Sequence, residues 1–336
     1  MKSVGLRILP EAISRQEWND IAVTFRDHNF YQSWEWGEAR RGAGWKVRRF
    51  VVEEGGLIVA AAQGLVRQLP LLPWEFLRVR GGPLVEGPHG DRGTALQRTL
   101  DGIRQEFRGA LVRVSPNHLT GNGIEAALQA SGFARPETQR LPETFWVDLE
   151  PDLEVLRKRL SSSWRHNLGR AERRGVTVRP IASLEDLRTF FELHAEMIRR
   201  KGFRDHLTWN LLQELWRITS PSSGIQGLLA MSGGAVVAGR ILGVLGREAM
   251  DLFAATSPRG REIYASYLLL WEVIKAAKTR SCSRFDLGGI DPTENRGVFE
   301  FKQGVRGERV ELVGHWNFCR GRALRFLFDT VIEPRL

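Results

Sequence analysis

Val51-Val52-Glu53-Glu54 runs into the pair Gly55-Gly56 and out again through Leu57-Ile58-Val59-Ala60. This predicts two strands joined by a two-residue hairpin turn, because paired glycines accept the positive φ such turns demand. The pattern returns as Leu228-Leu229-Ala230-Met231-Ser232, Gly233-Gly234 and Ala235-Val236-Val237-Ala238. The neighbours repeat in the same order. After the first hairpin come a helix over 95–107, a buried-type strand over 110–114, a short helix over 124–130, Gly132 and a last strand over 144–148. After the second come a helix over 263–279, a strand over 284–287, a short helix over 296–301, Gly304 and a last strand over 309–314. A displacement held near 175 residues across these elements implies an internal duplication with copies of about 150 residues. Hairpin, helix, strand, helix and strand in that order read as an α/β unit with a mixed sheet. Pro151 marks the junction, since it cannot donate in a ladder and suits the first turn of a following helix. The expected first domain is therefore 1–150 and the second 151–313.

Between Leu153 and Gly175, Leu156, Leu160, Trp164, Leu168 and Ala171 recur at the spacing of one helix face, which predicts a single amphipathic helix. Arg159, His166, Arg170 and Arg173 form a separate stripe. It is either a solvated basic face or a contact for phosphate or RNA, since the planar Arg fork matches phosphate oxygens.

Composition narrows the class. At 336 residues and 42% hydrophobic content, with 11 Trp and 17 Phe, the chain can fill two ordinary cores and lacks the composition of a disordered chain. No apolar run approaches the roughly 18 to 20 residues that span a bilayer, and Met1-Lys2-Ser3-Val4-Gly5 is followed by no apolar leader, so a cytoplasmic location is expected. Cys282 and Cys319 lie far apart without a nearby His in ligand spacing, which suggests structural thiols rather than a disulfide or a zinc site. The net charge of +10 favours a polyanionic partner: RNA, a phosphorylated substrate or an anionic membrane face.

The sequence contains no Gly-x-Ser-x-Gly elbow, Walker loop or His-Glu-x-x-His, which removes support for hydrolase, nucleotide triphosphatase and zinc protease readings. A coenzyme A acyltransferase of this unit type places a glycine-rich turn after its central strand. The corresponding stretch after Ala255, Pro258-Arg259-Gly260-Arg261-Glu262-Ile263-Tyr264-Ala265, has one glycine. Ser33 reads as an N-cap for the helix carrying Trp34 and Trp36, and Asp291-Pro292-Thr293-Glu294 as a capping arrangement for the next short helix. Lys302, within Phe299-Glu300-Phe301-Lys302-Gln303-Gly304, is either a surface lysine or an ammonium desolvated by aromatics and able to stabilise an oxyanion.

Several stretches together resemble the FemABX family of peptidoglycan bridge-forming aminoacyltransferases. They are Gln32-Ser33-Trp34-Glu35-Trp36-Gly37, Arg80-Gly81-Gly82-Pro83, the run from Asn167 to Val176, and Asp286-Leu287-Gly288-Gly289-Ile290 with Phe301-Lys302-x-Gly304. They span nearly the whole chain in family order. The resemblance implies two tandem acetyltransferase-like (GNAT-like) domains facing a cleft, the first completed by residues 314–336. It also implies transfer of an amino acid from aminoacyl-tRNA to the stem-peptide amino group of a peptidoglycan precursor, UDP-linked or lipid-linked, with peripheral contact at the inner membrane face and no metal or organic cofactor. Lys302 matches the family's lysine that stabilises negative charge on the attacked ester carbonyl. Arg40, Arg200 and Arg204 match basic positions placed for the precursor's phosphates, and Trp36, Phe253 and Tyr267 are the accompanying substrate-binding aromatics. Family members with a long helical hairpin in the second domain use it to bind tRNA. No segment here is long enough for one, so Arg159, Arg170 and Arg173 become the tRNA-binding candidates by default. Competing readings are an acyl-coenzyme A acyltransferase of the same fold and a non-catalytic RNA-binding protein.

Overall fold

In the computed structural model, which describes residues 5–69, 74–108, 110–137, 139–202, 207–220 and 223–321, the elements run in chain order as follows. The first stretch is β1 Gly5–Ile8, α1 Arg15–Val23, α2 Trp34–Arg41, β2 Lys46–Glu54, β3 Leu57–Gln68, β4 Glu75–Arg80, α3 Arg92–Glu106, β5 Leu111–Ser115, α4 Ile124–Ala130 and β6 Glu143–Asp148. The second is α5 Leu153–Arg159, α6 Ser162–Arg173, β7 Thr177–Pro180, α7 Leu184–Lys201, α8 Trp209–Arg217, β8 Gly224–Ser232, β9 Ala235–Leu245 and β10 Glu248–Thr256. The third is α9 Pro258–Glu262, α10 Ala265–Thr279, β11 Arg284–Asp286, α11 Arg296–Gln303, β12 Glu308–Glu311 and β13 Trp316–Phe318.

The duplication is visible strand by strand. One sheet has the order β1-β2-β3-β4-β5-β13 and the other β7-β8-β9-β10-β11-β6-β12. In each, an antiparallel meander ends in a parallel pair, β4 with β5 and β10 with β11. Both hairpins turn on glycines at positive φ, 61° and 88° at Gly55-Gly56 and 57° and 80° at Gly233-Gly234. Both carry a bulge just before the turn, at Val52/Glu53 and at Ala230/Met231.

The last strand expected for the first copy does not stay in it, whereas that of the second, β12, stays in the second sheet beside β6. β6 adds antiparallel to β11 in the second sheet, and β13 adds antiparallel to β5 in the first. The chain accordingly divides into unit 1, Met1–Pro142 with the described residues from Glu311, and unit 2, Glu143–Val310. The expected boundary at 150 is thereby corrected to 142, because β6 finds its hydrogen-bond partners on β11. Of residues 314–336, expected to complete the first domain, 314–321 lie in unit 1, where β13 pairs with β5, and 322–336 lie outside the described residues.

The predicted helix over 153–175 is also corrected. It breaks at Leu160, whose ψ of 144° is extended, and restarts with Ser161 capping Trp164 N. The five spaced apolar residues all remain buried, at 5% exposure or less, in the core of unit 2 with Phe285, Leu287 and Trp271. That core fixes α6 and α10 against the sheet. Unit 1 has its own core under α3 and α4, built on Phe50, Leu77, Leu96 and Val112.

Three loops of unit 1 are tied by a buried ionic knot. Asp27 accepts from Val85 N and Glu86 N, and His118 sits between Asp27 (3.0 Å) and Glu86 (3.4 Å). Burial alone would favour the neutral imidazole, but the two carboxylates outweigh it and raise His118 to about 9. A pKa raised in the folded state gives stability that is complete below the ordinary value of 6.5 and disappears as pH rises through about 9. His118→Gln should therefore lower Tm clearly at pH 6 and much less at pH 10. Equal losses at the two pH values would show that the charge of His118 contributes nothing.

Candidate functional site

Unit 2 opens where its two parallel strands part. β10 and β11 pair only from Glu248↔Arg284 to Met250↔Asp286, after which β11 ends and β10 continues to Thr256 against β9 alone. A bulge between Asp251 and Phe253 lies at that point, as bulges often do beside functional sites. The freed edge of β10 walls a cleft of about 710 Å³ whose lining includes Asp251, Phe253, Arg240, Tyr267, Phe301 and Lys302.

The two glycine motifs at this cleft acquire physical reasons. Asp286 Oδ1 accepts from Gly288 N at 2.7 Å and from the Thr144 hydroxyl at 2.5 Å, which holds the turn after β11. Gly288 has φ +72°, and a Cβ there would meet Asp251 O at 3.0 Å and Lys302 Nζ at 3.7 Å. Lys302 Nζ donates to Gly288 O (3.1 Å) and Gly289 O (2.9 Å), so the Gly-Gly turn is the seat of the ammonium. Gly304, at the end of α11, faces Trp164: a Cβ would stand 2.6 Å from Cδ1 of that buried indole. Trp164 in turn donates from Nε1 to Phe301 O at 3.1 Å. The first motif seats the lysine and the second docks the helix that carries it.

Of the two readings left open for Lys302, the structure supports the desolvated one. The side chain is 9% exposed, and burial lowers the ammonium to about 8, with Asp251 and Asp286 pulling it back up and Arg240 pushing it further down. Two of its three protons are committed to carbonyls, leaving one for a ligand.

Sequence reasoning missed Arg240 and Asp251. They form a buried ion pair across β9 and β10, with side chains 7% and 6% exposed. Burial pushes the Asp251 carboxyl up, while Arg240 and then Lys302 pull it down and Asp286 pushes it up. The signal was a lone arginine and a lone aspartate of opposite sign in two consecutive apolar strands.

The other candidates divide between the units. Phe253, Tyr267 and Arg200 line the Lys302 cleft, together with Lys201 and Arg261. Arg204 lies outside the described residues. Trp36 and Arg40 belong to unit 1, where Trp36 is 3% exposed and Arg40 lies over its ring at 4.6 Å. Trp36 is thus a buried shelf for the arginine. Arg80 stacks on Tyr31 at 3.7 Å. Burial and the neighbouring Arg80 lower Arg40 to about 10, and burial with Arg80, Arg113 and Arg40 lowers Arg78 to about 9. Cations crowded in this way favour an anion.

The expected stripe of Arg159, Arg170 and Arg173 is not one face, because the chain breaks between α5 and α6. Arg159 faces a separate recess beside Trp146 and Arg284. Arg170 donates to the Tyr264 hydroxyl at 2.8 Å, and Arg173 is exposed. In the stretch compared with a coenzyme A cradle, Gly260 serves packing: a Cβ would fall 2.3 Å from Val237 O. Asp291 caps a turn, accepting from Thr293 N and Glu294 N, and α11 begins only at Arg296. Among the described residues there is no His, Cys, Asp and Glu cluster able to hold a metal and no helix long and apolar enough to cross a membrane.

Residues 157–303, most of unit 2, match the model of the acetyltransferase (GNAT) domain. Over 407 aligned positions the chain is 21% identical to the lipid II:glycine glycyltransferase of Staphylococcus aureus (strain bovine RF122 / ET3-1), covering 96% of each chain. The crystal structure of FemX superposes with a TM-score of 0.81 over 96% of this chain and 100% of that one, at 18% identity. A tandem GNAT protein from the clavulanic acid biosynthesis pathway gives 0.56 over 94% and 98%, at 14% identity. The fold is that of two tandem acetyltransferase-like units.

Proposed function

We propose that this chain, which belongs to the FemABX family, transfers an amino acid from aminoacyl-tRNA to the stem-peptide amine of a peptidoglycan precursor. The glycyltransferase name of the relative supports the acyl-transfer class and the precursor as acceptor. The observation that carries the reading is Lys302, a buried ammonium with two protons seated on the Gly288 and Gly289 carbonyls and one free toward the cleft. When an amine attacks an ester, the carbonyl oxygen gains charge that a preorganised cation stabilises more than it stabilises the ground state. Phe253 and Tyr267 offer apolar walls for the aminoacyl group. Arg200, Lys201 and Arg261 give the same cleft the positive charge that phosphates of the tRNA end require. In unit 1, Arg40, Arg78 and Arg80 suit the phosphates of the precursor.

The test is incubation of the protein with a mixed pool of aminoacyl-tRNAs and, separately, UDP-linked and lipid-linked precursor, followed by mass measurement. The expected product is the precursor heavier by one aminoacyl residue, formed only with charged tRNA. Transfer from an acyl-coenzyme A with none from charged tRNA would overturn the reading in favour of an ordinary acyltransferase.

A further inference from the structure

The ion pair beneath the cleft leaves two buried atoms without a hydrogen-bond partner, Arg240 Nε and Asp251 Oδ1, and the second is an acceptor in the lining of the cleft. Arg240 Nη1 holds Asp251 Oδ2, while Asp251 Oδ1 is buried and has no hydrogen-bond partner. Buried carboxylate oxygens are seldom left unpaired, because both were fully solvated before folding. The residue stands at the bulge of β10, in the lining of the cleft that contains Lys302. The charged groups around it are Arg240 from β9, Lys302 from α11 and Asp286 from β11. Two of the three are cations, which pull the carboxyl down against the burial that raises it.

Resting on the transfer reaction above, we propose that Asp251 is the proton acceptor for the attacking amine, with Oδ1 as the receiving atom. An alkyl amine with a pKa of about 10 arrives as an ammonium with no lone pair to attack with. It passes one proton to Oδ1. The freed pair forms the C–N bond while the carbonyl π pair moves onto oxygen beside Lys302. On collapse the C–O bond to the ribose breaks, and the ribose oxygen leaves with the second proton of the nitrogen as a hydroxyl. Amide, free tRNA and protonated Asp251 result, and the carboxyl returns its proton to water when the products depart. Arg240 binds the opposite oxygen, which aims Oδ1 and excludes the ion pair itself from the transfer. The raised affinity of the buried carboxyl for protons agrees with this role.

The experiment compares two acceptors: the precursor amine, which must be deprotonated, and hydroxylamine, which is already unprotonated at neutral pH, with its uncatalysed reaction subtracted. Asp251→Asn in the full chain should lose at least about 100-fold in kcat with the precursor, within the range of general-base catalysis, and less than tenfold with hydroxylamine. Asp251→Glu should recover part of the precursor rate. An equal loss with both acceptors would overturn the proposal and make Asp251 a positioning residue for Lys302 and Arg240. A loss below threefold with the precursor would overturn it outright. Because Asp251→Asn leaves Arg240 buried without its charge partner, the wild-type protein supplies a parallel measurement: kcat/KM should show with the precursor an acidic limb set by Asp251, distinct from the limb that hydroxylamine shows through its own protonation. Identical limbs would overturn the proposal. A wild-type protein that acts on neither acceptor removes the transfer reading and this inference together, whereas wild-type turnover with an unaffected Asp251→Asn removes the inference alone.

Discussion

Lys302→Met should lower single-turnover transfer from charged tRNA by about 10² to 10³, the effect of deleting one oxyanion donor, with little change in precursor affinity. Methionine keeps much of the stem and removes the charge. The loss belongs in turnover because the ammonium interacts with charge that exists only as the ester is attacked. The same residue sets an alkaline limb. Its pKa is lowered to about 8, and the active form is the protonated one, so the rate should fall as pH rises through about 8. Lys302→Arg should show a low rate without that limb: a guanidinium stays charged, but its planar fork does not fit a seat of two carbonyls at 3.1 and 2.9 Å. A folded Lys302→Met protein within threefold of wild type would remove the lysine from the reaction.

How much of this was legible in the chain depends on the range of the interaction that decides it. The hairpins were legible because Gly55-Gly56 and Gly233-Gly234 decide the turn locally. The placement of β6 was not: the alternation of Thr144, Phe145, Trp146, Val147 and Asp148 is the same whether the strand joins β5 or β11, and only the register Trp146↔Asp286 distinguishes them. The break at Leu160 was hidden because all five spaced apolar residues stay buried on either side of it. The three serines 161 to 163 that follow were its one local sign, Ser161 being the cap. Lys302 was singled out through the motif, but its seat was not, since periodicity says nothing about two carbonyls fourteen and thirteen residues upstream. Trp36 lies on the predicted helix yet points into the core, where Phe30 and Tyr31 meet its ring edge-on.

Trp164→Ala should cost unit 2 about 3 to 5 kcal/mol, the range for deleting a large buried aromatic, and should disable the site as well. The indole is 2% exposed. It lies 5.1 Å from the Tyr267 ring and 5.9 Å from that of Phe301, holds Phe301 O through Nε1, and fills the space beside Gly304. Removing it frees the end of α11 that positions Lys302, so turnover should fall by more than the folded fraction does. Two controls separate the contributions. Trp164→Phe keeps a ring but leaves the Phe301 carbonyl without its donor, and a buried acceptor left unpaired costs about 1 to 3 kcal/mol. Gly304→Ala keeps the indole and pushes a methyl against it, an overpacking change of about 1 to 3 kcal/mol that should displace Lys302 with the helix. Denaturant unfolding followed by circular dichroism, with the transition of each unit fitted separately, measures the stability of each variant. Trp164→Ala destabilised by less than about 1 kcal/mol would show that α11 is held by its other contacts, and the glycine at 304 would then need a different explanation.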